Sequence, residues 1–124
     1  MKIVHITSRK AWVEATRSGE YVPPSLVSDG FIHCSTTMQA LPVAEKYYEG
    51  QKGLLLLVID PARLTAKLRW EAPSDGVFPP GVPLGDAFPH IYGPLNLDAV
   101  IQALDFKLDE NGKYALPPVL KSNP

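Results

Sequence analysis

Cysteine is almost missing from this chain: Cys34 is the single one among 124 residues. One thiol excludes an intrachain disulfide and fits a reducing compartment. Long apolar runs are missing too. The longest, from Leu54 to Ile59, is far too short to span a bilayer. The opening Met1-Lys2-Ile3-Val4-His5 turns polar too early for a signal peptide. The expectation is a soluble, cytoplasmic protein with no membrane contact. No Lys/Arg run exists, and the formal net charge is −1, which argues against nucleic-acid binding driven by charge. A P-loop, a Rossmann glycine pattern and a G-x-S-x-G elbow are all absent. Histidine is sparse, with only His5, His33 and His90. Proline is the exception, at 13 residues against a usual share of roughly 5%. That excess predicts long ordered loops rather than many helices.

The length suits one domain, residues 1–124, able to bury a core without staples. Lys2 to Thr7 alternates as a strand, and Ser8 is placed to cap a helix over Arg9 to Ser18 that Gly19 stops. Tyr21 to Leu26 reads as extended, because prolines 23 and 24 disfavour helix. Asp29-Gly30 makes a turn into a strand from Phe31 to Ser35. Thr36 and Gln39 match a capping box. Pro42 then implies either a separate first turn or a kink in the helical region that runs to Glu49. The apolar run Leu54–Ile59 is how a strand covered on both faces reads, and it is the candidate central strand.

Pro61 to Leu64 suggests a short helical turn. Lys67 to Glu71 alternates, with Leu68 and Trp70 inward. Residues 72–87 are rich in Gly and Pro without periodicity, so they form a loop, and a loop this long in a small domain is usually functional or mobile. A last strand runs from Ala99 to Leu108, followed by a hairpin turn at Asp109–Lys113 and a proline-rich tail. The order predicts an α+β fold: a split, strand-rich sheet with two main helices.

The chemistry concentrates at Phe31–Thr36. Strand alternation puts Phe31, His33 and Ser35 on one face and turns Ile32 and Cys34 to the other. Cys34 then acts as a small core residue rather than a nucleophile. His33 can transfer protons near neutral pH. Ser35 and Thr36 either serve the site or simply cap the following helix. His5 is either a half-buried strand residue bonding a carbonyl or part of the site. Glu71 at the mouth of the long loop is either a partner of Arg69 or Lys67, or a functional carboxylate. His90 and Tyr92, in Pro-His-Ile-Tyr-Gly-Pro, form either a rigid corner or a lid. Trp12, Trp70, Tyr47 and Tyr48 read as core. Three histidines about thirty or more residues apart lack the local pairing of most zinc sites, so no metal is expected.

Val4-His5-Ile6, Gly30-Phe31-Ile32-His33-Cys34-Ser35-Thr36 and Phe88-Pro89-His90-Ile91-Tyr92-Gly93-Pro94-Leu95, with Leu57-Val58-Ile59-Asp60 between them, resemble a small, mostly bacterial family, the domain of unknown function 952. That family is distantly similar to the ADP-ribosyltransferase fold. The resemblance implies a split sheet around an NAD cleft, with NAD as substrate for transfer or glycohydrolysis. It implies that His5 bonds a ribose hydroxyl, that Phe31 or Tyr92 stacks near the nicotinamide, and that Ser35 and Thr36 position polar groups. It implies that Glu71 stabilises the oxocarbenium-like ribose, with the His90 segment competing for that position. Two other functions fit the residues. One is a non-catalytic domain binding a nucleotide or small molecule. The other is a His-centred hydrolase or phosphotransfer-type enzyme with His33 and His90 as the acid–base pair.

Overall fold

The computed structural model describes residues 1–121; the end of the proline-rich tail, 122–124, lies outside the described residues. Strand β1 (Ile3–Ser8) runs directly into α1 (Arg9–Ser18). Ser8 Oγ accepts from the Ala11 N–H at 3.0 Å, and Gly19 closes the helix in the left-handed region. This is the cap and stop that the residue types demand. β2 (Glu20–Tyr21) follows, then a short α2 (Pro24–Ser28) where an extended segment is expected from the prolines. The physical reason is position. Pro24 is the first helical residue, where a missing N–H costs nothing and the fixed φ suits the helix.

β3 is regular only over Ile32–His33. Ser35 continues it as an isolated bridge to Val4 rather than as strand. The capping box at Thr36 and Gln39 forms, with Thr36 N–H on Gln39 Oε1 at 3.0 Å and Gln39 N–H on Thr36 Oγ1 at 3.2 Å. It closes a separate turn, and α3 (Ala40–Tyr47) begins after it. Pro42 then falls within the first turn of α3, where its missing N–H breaks no helical bond.

β4 (Leu54–Ile59) is the centre of one antiparallel sheet, paired with β1 and, after the 3-10 turn Leu97–Ala99, with β8 (Val100–Phe106). All six β4 residues are buried. Leu57 and Ile59 join the core under α1, with Ile3, Ala15 and Tyr21. Leu54, Leu56 and Val58 join the core on the other face, with Ala40, Ala44 and Phe106. A second antiparallel sheet has β6 (Phe88–Tyr92) between β3 and β5 (Lys67–Glu71). β2 pairs with β7 (Leu95–Asn96), and α4 (Pro118–Lys121) ends the described chain.

The two three-stranded sheets meet at β1 and β3, where Val4 and Ser35 exchange both backbone bonds at 2.8 Å. The result is a small α+β fold with a divided sheet. Trp70 departs from the expected inward placement and is 41% exposed. It shares its face of β5 with Leu68, but β5 is the edge strand of its sheet, with β6 on one side only. Residues 72–87 form the expected loop. It is tied to α3 by Gln39 Nε2, which donates to Asp86 Oδ2 at 3.1 Å and to the Ala87 carbonyl at 2.9 Å, and by the Tyr47 hydroxyl, which donates to Asp75 Oδ2 at 2.6 Å.

Candidate functional site

Strand period builds the site. His33 and His90 are directly opposed in the β3–β6 ladder, and Arg69 opposes His90 in the β5–β6 ladder. Side chains of opposed residues share a face. Phe31, His33, Phe88, His90, Tyr92, Arg69 and Glu71 therefore all stand on one side of the second sheet. Ile32, Cys34 and Ile91 stand on the other and are buried. Burial also pushes the Cys34 thiol up, so it stays a neutral core group.

Two carboxylate–imidazole pairs stand side by side on that face. His90 Nδ1–H donates to Glu71 Oε1 at 2.9 Å, and Glu71 Oε1 also accepts from the Tyr92 hydroxyl at 2.5 Å. His33 Nε2–H donates to Asp29 Oδ2 at 2.7 Å. The two imidazole centroids are 5.7 Å apart, edge to face. Phe31 stacks on His90 at 4.1 Å and tilts against His33 at 4.7 Å. It thereby fixes both rings. The Tyr92 and His90 bonds hold the Glu71 carboxyl below its ordinary range, and the His33 bond does the same for Asp29. Desolvation lowers the His90 pKa, with Glu71 opposing it. His90 is only 3% exposed, yet its Nε2 has no hydrogen-bond partner among the described residues.

His33 and His90 line a cavity of about 340 Å³. Its other walls are Val4, Ile6 and Ser35 at the division of the sheet, Val43, Tyr47 and Tyr48 on the α3 side, Phe88, and loop residues from Pro73 to Pro79. A shallower groove of about 860 Å³ lies on the α1 side, lined by His5, Thr7, Tyr21 and Pro23 among others. The two hollows share Ile6, His33 and Tyr48.

His5 occupies the gap where β1 and β3 part. Its Nδ1 lies 2.6 Å from the His33 carbonyl and its Nε2 2.7 Å from the Tyr21 hydroxyl. A carbonyl only accepts, so Nδ1 carries the proton. Burial lowers the His5 pKa to about 4, so the ring is neutral at pH 7 and Nε2 accepts from Tyr21. The Tyr21 oxygen, 2.9 Å from Thr7 Oγ1, is then left to accept from Thr7. The Tyr21 phenol is pushed up to about 12 by its burial. His5 thus supplies from its side chain the rung that the backbone no longer makes, and it holds His33 in place.

The sequence-derived candidates divide into three groups. His33, His90 and Ser35 line the cavity, and His5 joins His33 along the groove. Glu71, Phe31 and Tyr92 stand behind the two histidines: Glu71 bonds His90, Phe31 stacks on it, and Tyr92 bonds Glu71. Thr36 is engaged with Gln39. Glu71 bonds His90 and Tyr92 rather than a neighbouring cation. Asp29, Tyr21 and Asp75 escape sequence reading. Asp29 does carry one signal, since it precedes His33 by four residues across a tight turn. Tyr21 and Asp75 carry none. Tyr47, read as core, is 48% exposed and bonds the loop. Among the described residues no group of three or more His, Cys, Asp or Glu side chains could hold a metal ion, and no helix is long and apolar enough to cross a membrane.

No curated protein matches the chain. Among solved structures, the crystal structure of protein CC0527 from Caulobacter crescentus is similar at 34% identity, over 98% of this chain and 99% of that one, with a TM-score of 0.82. The solution structure of CC0527 is similar at 35% identity, over 90% of each chain, with a TM-score of 0.72. Residues 6–103 match the family described as protein of unknown function (DUF952), and the chain belongs to that family.

Proposed function

We propose that the protein is a His-centred acid–base enzyme of hydrolase type, acting on a small molecule in the cavity beside His33 and His90. One observation carries this reading: two imidazoles, each held by its own carboxylate, are paired across β3 and β6 and line one cavity. Glu71 orients His90 so that Nδ1 holds the proton and Nε2 offers its lone pair, the arrangement a general base needs. In hydrolysis, His90 Nε2 takes a proton from water as the water oxygen bonds to the electrophilic carbon. The bond to the leaving group breaks, and that group takes the second ring proton of a doubly protonated His33; the proton held on His90 then passes to His33 and restores both rings. Asp29 and Glu71 orient the rings and stay ionised. The lowered pKa of His90 suits the base role at neutral pH.

The test uses p-nitrophenyl acetate as a generic ester probe, with the wild type, His90→Gln and His33→Gln. Each single variant loses about 10²-fold or more in kcat/KM, and the double variant loses little beyond that, because the pair acts as a unit. Equal rates in the wild type and His90→Gln sink the reading.

A second reading, NAD-dependent ADP-ribosyl transfer or NAD hydrolysis on an ADP-ribosyltransferase-like fold, is favoured by the divided sheet and by Glu71 on a later strand beside Tyr92. In that reading His5 would exchange its Tyr21 bond for a ribose hydroxyl. Nicotinamide release from NAD that depends on Glu71 and His5 would select it. A thermal shift with NAD but no release would leave a nucleotide-binding domain.

A further inference from the structure

We propose that the cavity selects an organic cation with an apolar body, an amine rather than a phosphorylated or carboxylated ligand. The inference names the substrate class of the acid–base site above and so rests on that reading. The chain has nearly equal numbers of cationic and acidic residues, 12 and 13. Yet no Lys or Arg lines the cavity or the adjoining groove. The charged residues that do line them are Asp75 in the cavity and Glu14 and Glu20 in the groove. A phosphate or carboxylate entering here would meet like charge with no Lys or Arg in the lining to contact it.

The cavity's one ionised side chain outside its histidines is the acceptor-only carboxylate of Asp75. Asp75 is held ionised by the Tyr47 hydroxyl and the Val77 N–H, and its remaining lone pairs are available. His90 is almost completely buried, and its Nε2 is unpartnered. His90 lines the cavity, and a donor from a ligand or water there can satisfy that nitrogen. Tyr47, Tyr48 and Phe88 add aromatic walls, whose faces attract cations. Lys46 also acts on the Asp75 carboxyl. Its Nζ is buried without a hydrogen-bond partner, 5.1 Å from the Tyr47 ring centroid. It forms no ion pair with Asp75 and does not line the cavity, so the carboxylate keeps no contacting counter-ion. An ammonium seated between Asp75 and the tyrosines leaves the His33–His90 pair free for chemistry on the adjoining atoms.

Three matched probes test this: 2-phenylethylammonium, 2-phenylethanol and 3-phenylpropanoate, each titrated to about 10 mM into the whole protein and followed by amide and imidazole NMR shifts. The ammonium probe shifts Ser74–Val77 and His90, the alcohol binds more weakly, and the carboxylate leaves these signals unmoved. Asp75→Asn weakens the ammonium probe about tenfold while the rest of the spectrum stays folded. Carboxylate binding as tight as ammonium binding, no shift with any probe, or an unchanged affinity in Asp75→Asn each overturns the proposal. Binding is read without turnover, so the two proposals fail separately. If His90→Gln abolishes ester hydrolysis but the amine does not bind, the acid–base site stands and the substrate class falls. If the amine binds but hydrolysis is independent of His90, the reverse holds.

Discussion

His5 shows how one side chain can set both the geometry and the pH response of this protein. Its folded pKa of about 4 lies below the ordinary 6.5 because burial disfavours the imidazolium. Between these values the unfolded chain binds a proton that the folded chain does not, so stability falls as pH drops. It is unaffected above about pH 7 and declines progressively toward pH 4, by about 3 kcal/mol in all. His90, also lowered, acts in the same direction. His5→Asn keeps an N–H for the His33 carbonyl but has no titrating ring. Urea unfolding at pH 7 and pH 4.5 therefore separates the two roles. The variant loses a large part of the acid destabilisation seen in the wild type. An acid dependence identical in both proteins would refute the assignment. The site residues were partly legible at this scale. Alternation alone put His33 and Ser35 on one face and Cys34 on the other. Tyr21 was not legible, because nothing local to Tyr21 shows that it ends beside His5.

At the scale of elements, the 72–87 loop is held against α3 rather than left free. Gln39 carries much of this, since its buried amide closes the Thr36 turn with Oε1 and holds Asp86 and Ala87 with Nε2. Gln39→Leu keeps the bulk but leaves those partners unsatisfied, at a cost of about 1–3 kcal/mol. Amide exchange in residues 73–87 rises as the loop loses its tie, while exchange in β4 changes only with global stability. Unaltered exchange in the loop would show that Tyr47 and Asp75 suffice. Composition made this loop visible, because Gly and Pro exclude regular structure. Its attachment was not visible, because it depends on contacts between Gln39 and residues almost fifty positions away. The opposite error occurred at α2. Local rules count two prolines as extended backbone, yet a helix that begins at the second one meets no conflict.

The whole molecule is organised by β4, which separates two cores and gives alternate residues to each. Leu57 faces the core under α1, and Leu56 faces the core under α3. Leu56→Ala and Leu57→Ala each destabilise by about 2–5 kcal/mol. Both shift one cooperative transition rather than splitting it, because β1 and β4 belong to both cores. Far-UV and near-UV circular dichroism in denaturant should give coincident midpoints for either variant. Separate midpoints would mean that the two layers unfold independently.

The sequence by itself determined the α+β character, the central strand, the Ser8 and Gly19 helix limits, the long loop and the family. Each rests on local properties: periodicity, caps, backbone restrictions and a linear motif. Tertiary structure alone decided that the two sheets are bridged at Val4 and Ser35, that His5 bonds His33 beside that bridge, and that His33 and His90 stand together, each on its own carboxylate. It also decided that the cavity beside them carries no Lys or Arg. These features arise where segments distant in the chain are brought into register, and no local pattern encodes which residue a strand will face.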